Sequence, residues 1–173
     1  MKSRLAILCA ALLCAGSAYA ADGDRVSGSL EGDGISGEIG MLETASGAIL
    51  VEVTAQGVPE GEHGIHVHEV GKCEAADNFK SAGGHVAAGL EHGIKSQNGP
   101  HPGDLPNVHA SADGTIHAEF FLRGFSLGTE GNPRIMDEDG AALVLHSGPD
   151  DYTSQPSGDS GDRIACAVLK AAE

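Results

Sequence analysis

Tryptophan is absent from the chain, and 2 tyrosines and 4 phenylalanines make up its whole aromatic content. A core must therefore be built from Val, Ile, Leu and those few Phe. Basic residues are scarce as well: 10 Lys and Arg stand against 25 Asp and Glu, a formal charge of −15 with histidine neutral. Such a chain repels nucleic acid and anionic lipid surfaces, so neither is an expected partner. The one long apolar run, Leu5 to Cys14, is too short to cross a bilayer. No segment beyond it shows the apolar period of an amphipathic helix.

Lys2 and Arg4 precede that run and small residues ending in Ala18-Tyr19-Ala20 follow it, the pattern of a secretory signal peptide. Residues 1–20 are expected to be removed after Ala20, leaving one exported domain over 21–173. Loss of Lys2 and Arg4 takes the formal charge from −15 to −17. Cys14 as a lipid attachment site is a minor alternative, because the large Leu13 precedes it. With Cys9 and Cys14 gone, Cys73 and Cys166 remain, and a single pair in an exported chain implies one disulfide. The chain-entropy account of so long a closed loop suggests about 4–5 kcal/mol.

What the chain does contain is short alternating runs set between turn residues. They lie at 26–30, 35–41, 48–53, 65–68, 115–122, 141–146 and 163–169, with turns such as Gly32-Asp33-Gly34 and Ala45-Ser46-Gly47. The expected class is all-β, an eight-stranded Greek-key sandwich or flattened barrel of immunoglobulin-like kind. Two long segments interrupt it, 74–114 and 147–162. Loops of that length in a compact domain are usually functional or disordered, and the histidines of the first argue for function.

On an extended strand successive side chains alternate, so Ile65 and Val67 can enter a core while His66 and His68 project together on the other face. Neutral imidazole suits zinc, copper, iron and nickel. In the first long loop, His85, His92, His101 and Asp104 supply three nitrogens and a carboxylate, the donor set of a closed zinc site. His146 ends a strand without a local partner and is free to join His66 and His68. A nitrogen-only set of that kind suits copper(II). His63, His109 and His117 are read as surface residues.

The chain resembles the bacterial periplasmic copper/zinc superoxide dismutases. The resemblance is carried by Gly64-Ile65-His66-Val67-His68-Glu69, by Lys80-Ser81-Ala82-Gly83-Gly84-His85 and by Gly103-Asp104-Leu105-Pro106-Asn107. It is most specific from Leu145-His146-Ser147-Gly148-Pro149-Asp150-Asp151-Tyr152 through Gly161-Asp162-Arg163-Ile164-Ala165-Cys166. It implies copper held by His66, His68, His85 and His146, and zinc held by His85, His92, His101 and Asp104, with His85 shared between the ions. It implies that Asp150 links copper-side and zinc-side histidines, that Arg163 stands beside copper, and that Cys73 and Cys166 are the family's disulfide. The implied reaction turns superoxide into dioxygen and hydrogen peroxide, with His85 and Arg163 as catalytic residues, in a monomer or homodimer. Lys80 is expected near the rim of the site, where it would steer the anion. The text departs from the family at His85-Val86-Ala87-Ala88-Gly89-Leu90-Glu91-His92: relatives usually have an aromatic, an Asn or Asp and a Pro after the shared histidine, with one residue more before the next. A non-catalytic exported copper/zinc-binding protein on the same fold is the alternative reading. A structural sandwich with incidental histidines is a remoter one.

Overall fold

The computed structural model describes residues 23–128, 131 and 133–172. Residues 1–20, read above as a signal peptide, and with them Cys14, lie outside the described residues. Ten strands follow one another: β1 Arg25–Gly32, β2 Ile35–Glu43, β3 Ile49–Gln56, β4 Gly61–His63, β5 Ile65–His68, β6 Val108–Ala110, β7 Ile116–Leu122, β8 Ala142–His146, β9 Arg163–Val168 and β10 Lys170–Ala171. Two single 3-10 turns, Ala75–Asp77 and Lys80–Ala82, are the only helical elements among the described residues. The all-β expectation stands. Strands β4, β6 and β10 were not foreseen, since at two or three residues they are too short to display an alternation.

All pairings in the sheets are antiparallel. The larger sheet runs β5-β8-β9-β1-β2-β3-β7, with β10 also on β1, while β4 and β6 pair separately. β5 therefore lies at one edge of the sheet, with four strands between it and β3, although only the short β4 separates the two in the chain, a Greek-key type of connection. The expected alternation is visible in β3, whose residues Ile49, Val51, Val53 and Ala55 are buried while Glu52, Thr54 and Gln56 are exposed. Among the described residues no helix is long and apolar enough to cross a membrane.

Strand β8 departs from that alternation, being buried along its whole length. Leu143 and Leu145 join the main core of Val, Ile and Leu, whereas Ala142 and Val144 face a second cluster with Phe79, Ala82 and Cys166. The disulfide Cys73–Cys166, with Cα atoms 5.6 Å apart, pins that second cluster to β9. The sheet thus has a covered outer face at its β5-β8-β9 end, and the site is built there.

Candidate metal centre

Ile65 and Val67 enter the main core as expected. His66 and His68, on the opposite face of β5, are also fully buried, because the long loops close over them. The free edge of β5 is covered by two loop segments: the Val67 N–H donates to Gly103 O at 2.9 Å and the Val86 N–H donates to Val67 O at 2.9 Å. These main-chain bonds bring His68 opposite His85 and His66 opposite Asp104. On the other side β8 delivers His146 at its end, where the His146 N–H donates to Gly64 O at 2.9 Å.

Every ligand foreseen in the sequence is gathered here. His66, His68, His85 and His146 form one group and His85, His92, His101 and Asp104 another, with the candidate ligand atoms of each group all within 4.8 Å of one another. His85 belongs to both. Within the first group the hydrogen bonds settle which nitrogen is left over. His68 Nδ1 lies 3.0 Å from Gly83 O and His66 Nε2 lies 2.9 Å from Asp150 Oδ2. The buried His66 Nδ1, His68 Nε2, His85 Nε2 and His146 Nε2 are left without any hydrogen-bond partner. Buried polar atoms are rarely orphaned, and here four are orphaned together. Four imidazole nitrogens with free lone pairs are a donor set that fits copper.

The second group is centred on one carboxylate oxygen. Asp104 Oδ1 lies 2.9 Å from His85 Nδ1, 3.0 Å from His92 Nδ1 and 3.1 Å from His101 Nδ1, while its Oδ2 accepts from the Gly93 and His101 N–H groups. Three Nδ1 atoms and one carboxylate fit tetrahedral zinc. The shortened stretch between His85 and His92 has not prevented convergence. Asp150, 3% exposed, then joins the two groups: Oδ2 faces His66 Nε2 and Oδ1 faces His92 Nε2 at 3.0 Å. Gly158, at φ +72, passes so close above that a Cβ there would overlap Asp150 Oδ1 and His92 Nε2.

Burial and charge set the protonation states. Burial pushes His68 down to about 2, His85 to about 4 and His146 to about 3, with neighbouring imidazoles adding to the effect, so these rings are neutral and ready to bind a cation. His92 goes the other way, since burial is outweighed by hydrogen bonds to Asp104 and Asp150 that raise it to about 9. Burial alone would raise both carboxyls, yet the histidines around them hold Asp104 and Asp150 well below the usual carboxylate range.

Arg163 is half-buried at the start of β9 and donates to Phe79 O and Gly83 O, each at 2.7 Å. Gly83 O is thus shared with His68, which places the guanidinium at the edge of the first group. Lys80 is exposed at the start of the 3-10 turn leading to Gly83. His109 and His117 are exposed as expected. His63 corrects the sequence reading: it is 2% exposed, and its ring lies between Pro59 O at 2.8 Å and His146 O at 2.7 Å. It braces the main chain of His146, a role its sequence position does not advertise. Asn107, which closes the Gly103–Asn107 motif, has a carboxamide that donates to Asp150 O at 2.9 Å and accepts from the Asp150 N–H at 2.8 Å.

A Greek-key β-sandwich carrying two buried ligand groups that share one histidine defines a class, the dinuclear metalloproteins of this fold. The model of the copper/zinc superoxide dismutase family matches residues 35–169. A protein named copper/zinc superoxide dismutase from Caulobacter vibrioides is 41% identical over 80% of this chain and 81% of its own length. One from Aquifex aeolicus is 35% identical over 98% of this chain and 100% of its own. The crystal structure of a superoxide dismutase-like protein from Bacillus subtilis superposes with a TM-score of 0.78 at 35% identity, covering 87% of this chain and all of that one. The chain belongs to the copper/zinc superoxide dismutase family.

Proposed function

We propose that this chain is a superoxide dismutase, with copper held by His66, His68, His85 and His146 and zinc held by His85, His92, His101 and Asp104. The observation that carries the reading is the set of four orphaned ring nitrogens, one of which belongs to a histidine whose other nitrogen faces the carboxylate of the second group. Bound copper would supply the one-electron couple that takes an electron from one superoxide and returns it to the next. The chain's own groups do the rest. Arg163 presents fixed positive charge to an incoming anion at the edge of the imidazole group. His85 Nε2 is the atom able to carry a proton to the reduced product, while Nδ1 stays turned towards Asp104. Asp150 holds the ring orientations of His66 and His92, the usual task of a partner behind a metal ligand. Two superoxide ions and two protons thus become one dioxygen and one hydrogen peroxide.

The net negative charge does not oppose this. Charge focused in a cleft governs the approach of a small anion and can raise its association rate by about 10 to 10³-fold. The experiment is metal analysis together with a superoxide-decay assay on the wild type and His66→Ala. Uptake of copper and zinc with rapid decay, lost in the variant, is the expected result. Uptake of both metals without decay would favour the non-catalytic metal-binding alternative instead. Export to the periplasm with cleavage after Ala20 belongs to the same proposal, and N-terminal sequencing of the mature protein checks it.

A further inference from the structure

The 147–162 loop meets the zinc group at a second point besides Asp150. There the carboxamide of Gln155 lies along the main chain of His92: Oε1 accepts from the His92 N–H at 2.9 Å and Nε2 donates to the His92 carbonyl at 2.9 Å. The two ends of the carboxamide cannot be exchanged, because an N–H needs an acceptor and a carbonyl needs a donor. Nε2 also lies 3.0 Å from Thr153 O and 3.2 Å from Ser96 Oγ, and that hydroxyl donates in turn to the His92 carbonyl. The contact mirrors the one Asn107 makes with Asp150, so each long loop lends the other a carboxamide.

On either side the Glu91 N–H donates to Asn98 O at 3.1 Å and the Gly93 N–H to Asp104 Oδ2 at 2.8 Å, while the N–H and carbonyl of His92 itself are held by Gln155 and Ser96. The two large apolar residues flanking His92 are turned outwards, Leu90 at 47% and Ile94 at 67% exposure, so core burial on either side does not hold it in place. Gln155 is itself exposed and makes none of its hydrogen bonds to an imidazole. We infer that Gln155 is a positioning residue for the zinc half, clamping both peptide groups of His92 so that its ring stays between Asp104 and Asp150. This rests on the reading of His92 as a zinc ligand.

The isosteric Gln155→Glu keeps the acceptor and replaces the donor with an oxygen aimed at the His92 carbonyl, while Gln155→Ala removes both. Release of each metal from the copper- and zinc-loaded proteins is followed with chromogenic chelators, alongside the visible spectrum of protein carrying cobalt in place of zinc. Partners behind metal ligands are typically worth about 10–100-fold in affinity, so zinc should leave faster by that factor from both variants, with copper release little changed and the cobalt bands displaced. Wild-type zinc release from Gln155→Glu would overturn the inference, as would equal acceleration of zinc and copper release. A wild type that takes up no zinc would instead remove the assignment of His92 on which the inference stands.

Discussion

The two halves of the metal centre are held by different means. In the group proposed to hold copper, His66 and His68 sit on β5 and His146 on β8, strands paired in register from Ile65↔Leu145 to His68↔Ala142. Main-chain ladders place these rings, and ladders form whether or not a ligand is present. In the group proposed to hold zinc, a main-chain bridge to His66 sets Asp104, whereas His92 and His101 lie on an irregular stretch where side chains do the placing: Asp104, Asp150 and Gln155 each hold His92. One half is built by the fold and the other by mutual contacts between loops. The zinc half should therefore be the one that loosens first when a ligand, an ion or a proton is changed.

The largest expected effect tests the copper half. His66→Ala should lower dismutation by more than about 100-fold, beyond what loss of a supporting residue costs, while leaving zinc bound. Superoxide decay and metal content measured on one sample would check it, and retained activity would remove His66 from the centre. Gly158→Ala strikes the zinc half through sterics, placing a methyl against Asp150 and His92 at a positive φ. A loss of about 2–4 kcal/mol in the denaturation of the zinc-loaded protein is expected, with zinc lost before copper.

Acidity separates the halves in the metal-free protein. Burial holds the folded-state values of His68, His85 and His146 below 6.5, so beneath that pH the unfolded chain takes up protons that the folded one refuses. Stability should fall as the pH drops from about 6.5 towards 4, by at most about 1.4 kcal/mol per pH unit for each ring. His92 has the opposite sign: its carboxylate partners raise it to about 9, so its contribution is complete below 6.5 and is lost as the pH climbs through 9. Urea midpoints of the chelated protein across this range would reveal a maximum between the two limbs. A profile flat from pH 4 to 6.5 would contradict the buried neutral rings. The smallest effect concerns the approach of substrate. Lys80→Glu should lower the association rate and flatten its dependence on salt without altering metal content, and an unchanged salt slope would exclude Lys80 from steering.

Local pattern decided the class and most of the elements. Alternation in 35–41 and 48–53 is a property of neighbouring residues, so the strands there were legible, as were the projection of His66 and His68 together on the face opposite Ile65 and the pairing of the two cysteines remaining after residue 20. The ligand types and the two sets they form could be read too, and the sharing of His85 between the sets came from resemblance. Only the tertiary structure decided which nitrogens stay unpartnered, that His63 is buried against the carbonyl of His146, and that Gln155 grips His92 from 63 positions away. The reason is one of range: periodicity records which face a residue occupies within its own element, whereas loop residues carry no periodicity. Their partners are chosen by hydrogen-bond geometry that exists only once the strands have brought the loops together.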